Sequence, residues 1–203
     1  AKFFEADQGH LFDDWEQLDS LARRHLLADM HRIDLHFLQQ LIRDHLDSDA
    51  AEAPIAAPTP PDWIPLTDPG RESATEIGLQ ALRQGEVAVL LVAGGVGTRL
   101  GHEGPKGSYP LLPISGGTLF QVFAESLVRL RKQVSRHIHW IIMTSPSNHE
   151  QTVDYFQQHS FHGLAPSEVT IQPQEQLPVL DPRRRKILRA GPGRVLFSPD
   201  GHG

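Results

Sequence analysis

Residues 87–107 read VAVLLVAGGVGTRLGHEGPKG, and no other stretch limits the fold so tightly. It opens on an unbroken apolar run, 87–92, rich in valine and too short for a lone helix. Such a run predicts a strand buried on both faces, at the centre of a parallel sheet. Gly94, Gly95, Gly97 and Gly101 follow at once. Glycines directly after a strand let the chain turn sharply and let a ligand reach main-chain N–H groups without a Cβ in the way. A row of such N–H groups is an anion cradle. Arg99 and Lys106 place two cations on the same loop, so the ligand implied is a polyphosphate. Two common phosphate loops fail on spacing. A Walker loop needs Gly-Lys-Ser/Thr closing a Gly-x-x-x-x-Gly frame, whereas Lys106 is followed by Gly107 and Ser108. A dinucleotide fingerprint needs glycine at Leu100, and the chain supplies it one residue later.

Composition narrows the partners. A net charge of −6 argues against a general nucleic-acid binder, whose affinity comes from excess Lys and Arg. With no cysteine there is neither a disulfide framework nor thiolate chemistry. No apolar run approaches the roughly 20 residues of a membrane span, and no signal-peptide core is present at the start. These features describe a soluble, cytoplasmic chain with no membrane partner. Its oligomeric state is not legible.

Residues 12–46 carry helical periodicity: Trp15, Leu18, Ala22 and Leu26 form one stripe, and Ile33, Phe37 and Leu41 a second. Two helices are expected, covering each other and one flank of the domain that follows. His25, His31, His36 and His45 do not stack on one face and read as surface residues. From 47 to 70 prolines recur and little can be buried, which predicts a semi-extended linker pinned by Trp63 and Ile64. Residues 73–84 read as a helix closed by Gly85. Thr118 caps a helix through 131, residues 138–143 form a strand, and Ser147 with Glu150 makes a capping box for a helix reaching about residue 159. Residues 169–172 form a third strand. This alternation implies an α/β fold, a doubly wound, mostly parallel sheet, preceded by the N-terminal helical segment. The domains expected are 1–46, 47–70 and 71–203. Ligands in such sheets sit beyond the carboxyl ends of strands, where Gly94, Thr144 and Gln174 converge. Residues 186–189 and 194–197 read as a hairpin, and the basic run 183–186 as a solvated turn.

The block from Gly94 to Gly101, with Pro105, Lys106 and Gly107 behind it, resembles the signature of the sugar-nucleotide pyrophosphorylases. The version here is similar to the eukaryote-type UDP-N-acetylglucosamine pyrophosphorylase branch. Thr118, Leu119, Phe120 and Gln121 match the helix after the loop in that family, and Met143, Thr144 and Ser145 the end of the next strand. Gln174 with Leu177 and Pro178 resembles a segment whose glutamine reads uracil. Residues 199–203 resemble a turn that contacts uridine and sugar, although Glu175 and His202 depart from the usual glycine and asparagine. Gly-His-Gly, as here, is common in glucose-1-phosphate uridylyltransferases.

The resemblance implies a uridylyltransferase that makes a UDP-sugar and pyrophosphate from UTP and a sugar 1-phosphate, with N-acetylglucosamine as the sugar. Glucose 1-phosphate, a broader sugar range, or a non-catalytic nucleotide-binding fragment are the alternatives. It implies Arg99 and Lys106 as catalytic residues, and Ala93, Gly94, Gly95, Gly97, Thr98, Thr144, Gln174 and Gly201 as nucleotide-binding ones. His202 would meet the sugar. Mg²⁺ is the implied cofactor, with its principal protein ligand outside these residues; none of them is assigned to the metal. Members of the family are longer, so this chain is expected to be an N-terminal portion, inactive alone.

Overall fold

The computed structural model describes residues 1–46 and 59–199. The chain passes through helices α1 (Lys2–Glu5), α2 (Ser20–His31), α3 (Leu35–His45) and α4 (Arg71–Gln84) before its first strand. Strand β1 (Ala88–Val92), helix α5 (Leu119–Val134), strand β2 (His139–Thr144), helix α6 (His149–Gln158) and strand β3 (Val169–Pro173) then alternate. Short strands follow: β4 (Gln176–Pro178), β5 (Leu180–Asp181), β6 (Lys186–Ile187), β7 (Arg189–Gly191), β8 (Arg194–Val195) and β9 (Phe197–Pro199). The described residues form two compact units, one of residues 61–174 and one of residues 1–46, 59–60 and 175–199. Residues 175–199 group with the N-terminal helices.

In the α/β unit the strands are parallel and lie in the order β1-β2-β3. Val89 pairs with Trp140 and Leu91 with Ile142, which sets these four side chains on one face. Trp140 and Ile142 are fully buried there, packed in one core with Phe120, Ala124 and Leu127 of α5 and Phe156 of α6. Burying each such large side chain contributes about 1.5–3 kcal/mol. A direct strand order moves both crossovers the same way, so right-handed connections put α5 and α6 on a single face. The other face explains one correction. β1 is paired only with β2 among the described residues, and Leu90 and Val92 are 62% and 42% exposed. The strand paired on both sides is β2, not β1. An apolar run shows that a strand can be covered on both faces, not that it is.

Local signals hold at the helix ends. Gly85 takes a left-handed conformation, φ +78°, and its N–H caps the carbonyls that end α4. The Thr118 side chain accepts from the Gln121 N–H at the start of α5.

In the other unit, Leu26 and Met30 of α2 and Ile33 and Leu38 around α3 close a core with Ile187 and Val195 of the late ribbons. These helices thus cover a ribbon as well as each other. Arg194 Nε donates to Asp29 at 2.9 Å, Lys186 meets Asp7 at 2.7 Å, and Arg189 pairs with Asp14. The Gln8 side chain adds bonds to Arg185 C=O and Ile187 N–H, each at 2.9 Å. The expected hairpin survives as β7 with β8, but Lys186–Ile187 pairs back onto Leu180–Asp181. His25, His31, His36 and His45 are exposed, as expected. Trp63 and Ile64 are 78% and 81% exposed and pin nothing, while residues 47–58 of the expected linker lie outside the described residues. Among the described residues no helix is long and apolar enough to cross a membrane.

Candidate functional site

The glycine loop leaves β1 at Ala93, whose N–H still completes the ladder to Met143 C=O at 2.7 Å. It then closes on itself. Gly97 N–H donates to Gly104 C=O at 2.8 Å and Lys106 N–H to Gly95 C=O at 3.0 Å, bridging Val96 and Pro105. Leu100 N–H and His102 N–H both donate to Gly97 C=O, and Gly101 makes the turn at φ +66°. His102 fills the inside of this closure. A Cβ on Gly97 would lie 2.8 Å from that of His102, so glycine is required there by close approach; its own φ is an ordinary −81°. The Ser108 hydroxyl donates to Pro105 C=O at 2.8 Å, which leaves its oxygen to accept from His102 Nε2 at 2.9 Å.

This closure divides the loop's donors. Gly97, Leu100, Gly101, His102 and Lys106 spend their N–H groups inside the loop. Gly94, Gly95, Val96, Thr98 and Arg99 have no main-chain partner among the described residues. The Gly97 amide is bonded to Gly104, so what Gly97 gives the loop is room for His102. The donors left over are those an anion could take.

Around the strand ends three polar residues meet the loop. Gln174 N–H donates to Thr144 C=O at 2.7 Å, continuing β3 past its last residue. The Gln174 side chain is 9% exposed and has no hydrogen-bond partner among the described residues, and its Oε1 lies 3.3 Å from where a Cβ on Gly94 would stand. A carboxamide carries both donors and an acceptor, and here, among the described residues, all of them are left to bond to solvent or a ligand. Thr144 behaves otherwise. It is fully buried, its hydroxyl donates to Gln172 C=O at 3.2 Å, and it pairs with His149 Nδ1 at 2.9 Å. That hydroxyl is already engaged within the protein, and the Thr144 carbonyl fixes the main chain of Gln174. Asn148, also fully buried, ties the start of α6 to the loop carbonyls of Ala93 and Gly95.

The cations are poised differently. Lys106 is exposed, and its Nζ comes within 3.9 Å of the Cβ position of Gly95. A cavity of about 160 Å³ opens beside it, lined by Ala93, Gly95, Gly107 and Phe120. Arg99 and Thr98 are exposed, and Arg99 has no ion pair or hydrogen bond among the described residues. Gly201 and His202 lie outside the described residues. A larger, open hollow of about 630 Å³ near Lys2, Asp34 and His36 carries none of the expected residues. Among the described residues no group of three or more His, Asp or Glu side chains could hold a metal ion by itself, and none of them is assigned to Mg²⁺.

Sequence reasoning passed over Asn148 and His102. It assigned the α6 cap to a box of Ser147 and Glu150, but the N-cap is Asn148, without a side-chain capping bond, and the Ser147 hydroxyl bonds to that of Ser145 at 2.8 Å. The missed signal was an asparagine four residues past a strand end that faces the glycine loop.

The family model described as UTP–glucose-1-phosphate uridylyltransferase matches residues 38–203. The UDP-N-acetylglucosamine pyrophosphorylase of Saccharomyces cerevisiae is 35% identical, over 99% of this chain and 45% of its own length. UDP-N-acetylglucosamine diphosphorylase 2 of Arabidopsis thaliana is 33% identical, over 97% of this chain and 42% of its own length. Among solved structures, the uridine diphosphate N-acetylglucosamine pyrophosphorylase of Trypanosoma brucei, in complex with an inhibitor, superposes with a TM-score of 0.76 at 25% identity. That match covers 97% of this chain and 42% of the other. The chain thus spans less than half the length of these relatives.

Proposed function

The chain belongs to the UTP–glucose-1-phosphate uridylyltransferase family, and on that premise we propose that it forms the nucleotide-gripping part of a UDP-sugar pyrophosphorylase. The reaction is UTP plus a sugar 1-phosphate giving a UDP-sugar and pyrophosphate, with N-acetylglucosamine 1-phosphate as the preferred acceptor. The observation that carries the reading is Gln174, a residue only 9% exposed whose carboxamide has no hydrogen-bond partner among the described residues, set against Gly94 at the strand ends. Its donor and acceptor complement the edge of uracil.

An oxygen of the sugar phosphate attacks the α-phosphorus of UTP in line. The new P–O bond forms as the bond to the bridging oxygen of the β-phosphate breaks, and pyrophosphate leaves with that electron pair. Such a transfer asks for positioning and charge neutralisation more than covalent help. The free amides of Gly94, Gly95 and Val96 hold the nucleotide, with the Thr98 amide beside them. Lys106 neutralises charge at the α-phosphate and the incoming phosphate, and Arg99 holds the departing pyrophosphate. Gly201 at the uridine and His202 at the sugar belong to the same proposal. If Mg²⁺ binds, it would add charge neutralisation; no residue described here is assigned to hold it. A cytoplasmic location goes with this reading, since the cysteine-free composition needs no oxidising compartment.

Glucose 1-phosphate is the second reading, favoured by the description of the family model and by His202. Pyrophosphate release by the protein at its natural length, compared between the two sugar phosphates, decides between them. Faster release with N-acetylglucosamine 1-phosphate supports the first reading and faster release with glucose 1-phosphate the second. UTP binding without release from either favours a nucleotide-binding module.

A further inference from the structure

Asn148 stands at the N-terminus of α6, where a capping side chain belongs, yet it makes no capping bond. Its side chain turns back toward the loop. Oδ1 accepts from Ser145 N–H at 2.9 Å and from the Ser145 hydroxyl at 3.0 Å. Nδ2 donates to Ala93 C=O at 2.9 Å and to Gly95 C=O at 3.1 Å. Both lone-pair positions and both hydrogens are therefore used. Exchanging the oxygen and nitrogen would set acceptor against acceptor and donor against donor, so this orientation alone satisfies the group.

In a trans peptide the C=O and the following N–H point in opposite directions, and no peptide bond among the described residues is cis. Holding the carbonyls of Ala93 and Gly95 toward Asn148 turns the N–H groups of Gly94 and Val96 away from it. Neither of these has a main-chain partner among the described residues. The Gly95 carbonyl also accepts the Lys106 N–H at 3.0 Å, so the same contact anchors the main chain that carries the lysine. We propose that Asn148 is a positioning residue for nucleotide binding: by gripping two loop carbonyls from behind, it aims two main-chain donors at the ligand. This rests on the uridylyltransferase reading, because it takes the ligand to be UTP.

The test is Asn148→Asp in the protein at its natural length, titrated with UTP across pH, with melting temperature followed in parallel. The substitution keeps size and keeps an acceptor for Ser145, but it turns a carboxylate oxygen toward the carbonyls of Ala93 and Gly95. UTP affinity is expected to fall at least tenfold at neutral pH and to recover as the new carboxyl protonates and can donate. His149 and Lys106 are the titratable neighbours; both are present in the wild-type control, so the difference between the two profiles isolates the carboxyl. Asn148→Ser, read by the same titration, is expected to lose as much at every pH, with no recovery. Wild-type affinity in either variant at neutral pH, or a loss in Asn148→Asp that does not change with pH, overturns the proposal. If Asn148→Asp does not fold, Asn148→Ser decides alone. Failure of the wild-type protein to bind UTP instead overturns the uridylyltransferase reading, and this proposal falls with it.

Discussion

Replacing Gly97 with alanine separates the loop's shape from its glycine content. The φ of −81° suits any residue, so no backbone strain arises. The cost is steric. A Cβ would lie 2.8 Å from His102 Cβ, 2.9 Å from its Cδ2 and 3.0 Å from its carbonyl oxygen. Carbon atoms rest at about 3.5–4.0 Å, so the two sides must part by roughly half an ångström or more. The imidazole cannot simply swing aside, because it is bonded to Ser108 and set edge-on to Tyr109. Parting the sides bends the Gly97–Gly104 bond and the His102–Gly97 bond, each worth about 0.5–1.5 kcal/mol. The overpacking cost is about 1–3 kcal/mol, and because both bonds bend without breaking only part of their worth adds to it, so the closed loop should lose about 2–3 kcal/mol, or roughly 30- to 150-fold in population. UTP affinity, which needs the closed loop, should fall by at least fivefold and by no more than about that larger factor. The assay is a calorimetric titration with UTP of the wild type, of Gly97→Ala, and of the same substitution in a His102→Gly background. Glycine at 102 removes the two side-chain contacts and leaves only the carbonyl, so alanine at 97 should then cost less than about 1 kcal/mol. Wild-type affinity in the single variant, or an equal cost in both backgrounds, refutes the reasoning.

Gln174→Ala should weaken UTP by roughly 5- to 150-fold, the loss of about 1–3 kcal/mol of buried pairing, while pyrophosphate, which has no base, binds as before; equal losses for both ligands would remove Gln174 from base recognition. Lys106→Ala should lower turnover of the protein at its natural length at least tenfold without lowering its melting temperature, and a wild-type rate would take Lys106 out of the mechanism. Glu168 is buried, which by itself raises its pKa, but the Ala165 N–H, His137 and Arg131 together outweigh that and hold it below the ordinary 4.5. A depressed folded-state pKa gives stability that is present above the unfolded value and lost as pH falls through the folded one. Melting temperature should therefore drop on acidification below about pH 4.5, and more steeply in the wild type than in Glu168→Gln; parallel curves would show that Glu168 contributes nothing there.

Much of the α/β unit was legible because its signals are local. Gly85 ends α4 and Thr118 starts α5 through bonds to residues within a turn or so, and the glycine spacing marks the loop whatever surrounds it. What could not be read depends on distant partners. The run at 87–92 looks the same whether or not a second layer covers Leu90 and Val92. The bonds from Asp29 to Arg194 and from Gln8 to Ile187 join residues more than 160 apart in sequence, and nothing near either end announces them. That is why residues 175–199 were read as part of the 71–203 domain. Asn148 was hidden for a related reason: its position at a helix start suggested a cap, but its side chain is engaged by carbonyls some 50 residues upstream.

The account stands on main-chain donors between Ala93 and Leu100 and the carboxamide of Gln174 holding a uridine triphosphate. Isothermal titration of the folded protein, at its natural length, with UTP measures that directly. Saturable heat with one equivalent of UTP, diminished in Gln174→Ala and in Gly97→Ala, is the expected result. A folded protein that gives no heat with UTP would contradict it.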